Sequence, residues 1–115
     1  MSFVIKERQV GSVTVLDLSG RLTMGEGSEM LKGKLQSLIA DRHGALLLDC
    51  RQVSAIDSTG IQALLWVVTS AEGKGAKLKL LKPSPRMREA LNLMRLLTVI
   101  ESFDDEEVAL RSFTT

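Results

Sequence analysis

Apolar and polar positions change period along this chain, and the changes mark its elements. Phe3-Val4-Ile5 and Val13-Thr14-Val15-Leu16-Asp17-Leu18 are rich in β-branched and large apolar residues, with polar residues around Gly11 between them. Such runs predict two strands, paired antiparallel through a turn at Val10-Gly11-Ser12. Ser19-Gly20-Arg21 carries turn chemistry and predicts the end of the second strand. Leu31, Leu35, Leu38 and Ile39 follow at helical spacing and form one stripe for burial. Thr23 and Glu26 stand at capping-box spacing ahead of that stripe. Gly25, Gly27 and Gly33 would each weaken the helix by roughly 1 kcal/mol relative to alanine if they lay in its interior. Gly44 closes it.

The next stretch organises the rest. Ala45-Leu46-Leu47-Leu48 is a short apolar run closed by polar residues, the pattern of a strand buried on both faces. After Asp57-Ser58-Thr59-Gly60 a long apolar pattern starts abruptly. Asp and Ser oxygens accept from the free N–H groups of a first helical turn, so a helix begins there, with Ser58 at its N-terminus. This helix runs to about Glu72 and is stopped by Gly73-Lys74-Gly75. Lys77-Leu78-Lys79-Leu80-Leu81 is a further strand, and strand, helix, strand in this order implies a parallel unit. Ser84-Pro85 starts another helix, with serine at the cap and proline where its missing N–H costs nothing. Met87, Ala90, Leu91 and Met94 form its buried face. Thr98-Val99-Ile100 suits a short edge strand, and Asp104 with Glu107 caps a last helix that carries Val108 and ends near Arg111. The sum is a single α/β domain over residues 1–115. Its mixed sheet has four or five strands packed with about four helices.

Composition narrows the function classes. A formal net charge of +1 gives no electrostatic case for nucleic acid or anionic lipid as the main partner. Aromatic residues make up 3% and tyrosine is absent, which disfavours stacking platforms for bases. The single cysteine, Cys50, forms no internal disulfide and fits a reducing compartment. No leader pattern and no apolar run of roughly 20 residues is present, so the sequence predicts a soluble, cytoplasmic chain without direct membrane insertion.

Most candidate chemistry reduces to ordinary structure. Gly27 to Gly33-Lys34 is one residue too long for a phosphate loop, and Leu35 follows the lysine where Ser or Thr belongs. His43 stands alone near Gly44, as a surface or capping group. Cys50 reads as a buried structural thiol. Asp17, Asp49 and Asp57 each fall near an expected strand end, where solvated acids are common. No nucleophile, base and oxyanion site converge, so no catalytic residue, metal or cofactor is expected. The Ser58 helix is different. Ile61, Leu64, Leu65 and Val68 form one stripe, but Ala63, Trp66 and Val67 lie roughly opposite. Two readings stand for Trp66: packing against a neighbouring helix, or part of a docking surface beside Ser58. Spacing alone lets Ser58 be a plain helix cap.

The run Leu48-Asp49, Val53, Ile56-Asp57-Ser58-Thr59-Gly60-Ile61, Ala63-Leu64-Leu65 resembles the signature of the STAS domain, shared by sulphate transporters and anti-sigma factor antagonists. The resemblance extends to the opening hairpin, Leu18-Ser19-Gly20-Arg21-Leu22 and Lys82-Pro83-Ser84-Pro85. It implies an anti-sigma factor antagonist, a non-enzymatic module that binds an anti-sigma factor serine kinase and frees a sigma factor. The kinase phosphorylates the serine after the aspartate, and a PP2C-type phosphatase reverses this. Carried over, Ser58 is the acceptor and Asp57, Thr59 and Gly60 complete its motif; Gly20, Arg21, Ile61, Gln62 and Trp66 are the candidates for the adjoining partner surface. Gln62 departs from the small residue that many relatives carry. The alternative is a STAS adaptor subunit of a signalling or membrane-transport assembly, with Ser58 only capping. A rival class, the phosphoacceptor receiver domain, would use Asp49, but Lys6-Glu7-Arg8 lacks the acidic pair needed for its metal.

Overall fold

A computed structural model describes residues 3–114. Its sheet has five strands in the order β1-β2-β3-β4-β5: Val4–Val10, Val13–Leu22, Ala45–Ile56, Lys77–Leu81 and Ser102–Phe103. The first pair is antiparallel, with Val10 opposite Val13 across a turn in which Gly11 takes φ +60°. The other three pairings are parallel. Four α-helices complete the domain: α1 Glu26–Ala40, α2 Ser58–Gly73, α3 Pro85–Leu93 and α4 Glu106–Arg111. The α/β class, the mixed sheet and its helix count agree with expectation.

Side-chain alternation along the strands builds two cores. Leu46, Leu48 and Cys50 of β3 point with Leu16, Leu18, Leu78 and Leu80 into the larger core. There they meet Leu31, Leu35 and Leu38 of α1, Leu64, Val67 and Val68 of α2, and Met87 and Leu91 of α3. The opposite face gathers Val13, Val15, Leu47 and Leu81 beneath Ala109 and Leu110 of α4 and, beyond it, Phe113. Strands β2 and β3 are therefore covered on both faces along their first halves, which explains the unbroken apolar run at Leu46–Leu48.

Several boundaries differ from the sequence reading. Strand β3 does not end near Leu48 but continues to Ile56, and β2 passes through Ser19-Gly20-Arg21 to Leu22. Two register shifts between these strands, after Asp17 and after Gly20, add residues on the β3 side and bend it. Gly20 (φ +104°) takes a left-handed conformation that glycine adopts freely, so its turn chemistry serves a bulge and not a strand end. The Thr23–Glu26 capping box is not formed. The helix starts after Gly25 with no side-chain cap, the Thr23 carbonyl accepts from the Ser28 N–H and hydroxyl, and Glu26 accepts from the Phe3 N–H. Residues Leu96–Thr98 form a 3₁₀ turn, and the edge strand comes later, at Ser102–Phe103. Met94 is exposed as the C-cap residue of α3, and Asp105 caps α4 in place of Asp104. The Ser84 cap, Pro85 at the first turn and strand β4 fall where the pattern put them.

Two glycines seat helix starts against the end of β2. A Cβ at Gly60 would collide with the Leu22 carbonyl oxygen, and one at Gly27 with the Arg21 carbonyl oxygen. Gly33 has open space around its Cβ position. Forcing atoms into a packed contact costs roughly 1–3 kcal/mol, whereas alanine in an exposed helix interior gains roughly 1 kcal/mol over glycine. Chemical denaturation should therefore find Gly60→Ala destabilised by at least about 1 kcal/mol and Gly33→Ala slightly stabilised. Equal midpoints for the two variants would contradict this packing.

Candidate functional site

The close approach at Gly60 brings the first turn of α2 to the C-terminal ends of β2 and β3. Asp57, in extended conformation, is the N-cap residue. Its Oδ1 accepts from the Gly60 N–H at 2.9 Å, and its Oδ2 accepts from the Met24 N–H at 3.1 Å. One carboxylate thus caps the helix and ties down the loop between β2 and α1. The Gly60 and Met24 hydrogen bonds hold the Asp57 carboxyl below the usual aspartate range, because they favour its charged form.

With Asp57 as the cap, Ser58 is the first helical residue and its side chain is exposed. Spacing alone allowed Ser58 to be the cap, and the geometry corrects this by giving the role to Asp57. No side-chain hydrogen bond engages the Ser58 hydroxyl among the described residues. The backbone dipole at this helix end favours added negative charge. Thr59 is half-buried and Gly60 is buried.

The candidate partner-facing residues separate into two groups. Ser58, Gln62 and Trp66 stand four residues apart on α2 and share one exposed stripe. Ile61 is 8% exposed and belongs to the inner face. Trp66 is 38% exposed yet flanks α1. Lys32 stands 5.9 Å from its ring centre, and a hollow beside it is lined by Gln36, Ile39, Ala40, Ser70 and Lys74. The tryptophan thus packs beside the neighbouring helix, as the first reading has it, with part of its ring open to solvent. Arg21 is exposed on β2 and pairs with Ala55, close to the α2 start, beside half-buried Gly20. On the other side, Ala55 and Ile56 share a hollow with Arg86 and with Leu93, which is 79% exposed.

A charged cluster that sequence reasoning missed lies on the opposite sheet face. Asp49 is not a solvated strand-end acid. It sits mid-strand, its side chain 4% exposed, paired with Arg51 at 2.8 Å and with Arg8 at 3.8 Å. Burial pushes its carboxyl up, but the Arg51 hydrogen bonds and the two guanidinium charges outweigh that and leave it below the usual range. Arg8 also forks onto Asp17 and Glu106. The signal was present in the i, i+2 spacing of Asp49 and Arg51, which puts both on one face of a strand. Both Asp49 oxygens are engaged by Arg51. Among the described residues, no group of three or more His, Cys, Asp or Glu side chains is placed to hold a metal ion. Cys50 is fully buried, and burial pushes its thiol well above the usual range. His43 is half-buried, with Nδ1 2.6 Å from the Thr14 hydroxyl. Among the described residues, no helix is long and apolar enough to cross a membrane.

A family model described as "Mlab, STAS domain" matches residues 5–101, and the chain belongs to the STAS domain family. No curated protein matches the sequence. Among solved structures, an anti-sigma factor antagonist from Mycobacterium paratuberculosis is similar at 21% identity and TM-score 0.88, over 99% of this chain and 96% of that one. The Bacillus cell fate determinant SpoIIAA, solved in its phosphorylated form, is similar at 22% identity and TM-score 0.73, over 95% and 99%. A sulfate transporter family protein from Wolinella succinogenes reaches 29% identity and TM-score 0.77, over 90% and 85%.

The double role of Asp57 has a measurable consequence. Losing a helix cap costs about 1 kcal/mol, and a second backbone bond adds to it. Asp57→Ala should therefore lower stability by roughly 1–2 kcal/mol. The folded-state carboxyl lies below its unfolded value, so its ionic contribution is present above the ordinary aspartate pKa of about 4 and fades as pH falls through the folded value. Denaturation of wild type and Asp57→Asn should show a gap at pH about 7 that narrows toward pH about 3. A gap independent of pH would contradict the assignment.

Proposed function

We propose that this STAS domain is an anti-sigma factor antagonist whose binding is switched at Ser58. In this reading the unphosphorylated protein is a non-enzymatic, cytoplasmic binding module. It docks an anti-sigma factor serine kinase over the start of α2 and thereby releases a sigma factor. The kinase transfers the γ-phosphoryl group of ATP to the Ser58 oxygen, with loss of the hydroxyl proton and release of ADP. A PP2C-type phosphatase hydrolyses the ester and restores the binding form.

The observation that carries this reading is the exposed, unengaged hydroxyl of Ser58 at the first position of a helix already capped by Asp57. A phosphoryl group there adds about −1.5 to −2 charges and three acceptor oxygens. The helix end tolerates that charge, and no cap is lost, so the fold survives. A partner packed over the same spot meets a bulky dianion beside the Asp57 carboxylate. Unpaired like charges at an interface cost several kcal/mol, enough to end an association. The likeness to SpoIIAA, solved in a phosphorylated form, supports the reading. Gln62, Trp66, Gly20 and Arg21 adjoin the acceptor in this scheme, whereas Ile61 acts from inside by seating the helix.

A second reading has its own support. The likeness to a sulfate transporter family protein supports an adaptor subunit of a signalling or membrane-transport assembly without a phosphoswitch. Incubation with ATP and anti-sigma kinases from the same genome, followed by intact-mass measurement, separates the two. The switch predicts one phosphoryl group per chain on wild type and none on Ser58→Ala. It also predicts that Ser58→Asp melts within a few degrees of wild type yet loses kinase binding. Unmodified wild type, or full binding by Ser58→Asp, would leave the adaptor.

A further inference from the structure

The segment after β5 crosses the second face of the sheet and is fastened at both ends. At its start, Glu106 takes two hydrogen bonds from the Arg8 guanidinium of β1, at 2.7 and 3.0 Å. Arg8 is held in turn by Asp17 of β2 and faces Asp49 of β3, which Arg51 also engages. At its far end, Lys79 of β4 donates to the carbonyl and hydroxyl oxygens of Ser112, at 3.1 and 2.9 Å. The Lys79 side chain is 6% exposed, lies 4.6 Å from the Phe113 ring centre and 5.8 Å from that of Phe103, and reaches Glu101 at 3.6 Å. Between these pins, Ala109, Leu110 and Phe113 cover Val13, Val15, Leu47 and Leu81.

Apart from that, the segment has an ion pair at its first residue, from the exposed Asp104 to Arg88 of α3 at 2.9 Å, of a kind worth little in water. Helix α4 spans six residues, far below the roughly 12–15 at which an isolated helix persists in water. Val108 on it is 44% exposed. The apolar cluster beneath is much the smaller of the two cores. Residues 102–114 also lie past the stretch matched by the family model.

We propose that residues 104–114 form a two-pin strap, closed across the sheet by Arg8–Glu106 and Lys79–Ser112, that opens as one unit while the larger core stays folded. Opening bares the apolar strip Val13, Val15, Leu47 and Leu81 without disturbing the α2 start on the other face. Local openings of this kind belong to elements with few buried contacts, and their free energy lies below that of global unfolding.

Amide hydrogen exchange by NMR at neutral pH, across low denaturant concentrations, reads this directly. In wild type, the amides of Ala109 to Ser112 should exchange faster than those of Leu47 and Leu48, with a small, shared denaturant dependence. A fork of charge-assisted hydrogen bonds is strong, so Glu106→Gln should speed exchange at all four strap amides by roughly tenfold. Lys79→Met, which keeps the buried stem, should act on the same four amides by a similar factor and leave Leu47 and Leu48 little changed relative to it. Effects confined to the amides beside the altered pin would mean end fraying and would overturn the unit. Exchange of strap and core amides with one free energy in wild type would overturn the opening itself.

Discussion

The close contact between the first turn of α2 and the main chain of Leu22 fixes the geometry of the candidate site. It exists because residue 60 has no side chain, and a methyl group would strike the Leu22 carbonyl. Asp57 then closes the contact from the other side, with one oxygen on the Gly60 N–H and the other on the Met24 N–H. A helix start, a strand end and a loop are locked together by one carboxylate. The lock frees Ser58 from the capping role and turns its hydroxyl to solvent. Ser58, Gln62 and Trp66 then share one outward stripe, while Ile61 and Leu64 anchor the helix in the core.

The proposed switch depends on the difference between two environments of the same atom. At a helix N-terminus in water, added negative charge meets a favourable dipole and full hydration. Beneath a docked protein it would meet a second surface with the water removed and the Asp57 carboxylate alongside. In the proposed switch one modification therefore leaves the fold standing and ends the complex. The same STAS fold occurs in the Wolinella succinogenes transporter-family protein, so the fold itself decides nothing between a switch and an adaptor. Exposure of Ser58 and the chemistry of what covers it decide that.

Where local chemistry and tertiary packing agree, the sequence was sufficient. The Gly11 turn, the Ser84-Pro85 helix start and strand β4 each carry a signal that no distant contact overrides. The failures share a cause. Polar residues from Asp49 onward look like a strand end only until the Arg8–Asp17–Asp49–Arg51 cluster supplies partners for them on the open half of the sheet. Gly27 reads as a weak helix residue, because nothing in its neighbours reveals that the Arg21 carbonyl lies against it. The edge strand moved to residues 102–103 because Leu96–Thr98 folds into a 3₁₀ turn after Arg95 takes a left-handed conformation. The motif at Asp57-Ser58-Thr59-Gly60 was legible, but the division of labour within it was not. Ser58 could pass for the cap, and only the folded positions of the Gly60 and Met24 N–H groups show that Asp57 takes that role.

The most direct test of the account is a titration of an anti-sigma serine kinase from the same genome with two forms of the protein, unmodified and phosphorylated at Ser58. Thermal unfolding of both forms is followed in parallel. The account predicts closely similar unfolding and an affinity weaker by about 100-fold or more for the phosphorylated form, the equivalent of about 2.7 kcal/mol at the interface. Equal affinities, or a phosphorylated form that no longer folds, would contradict it.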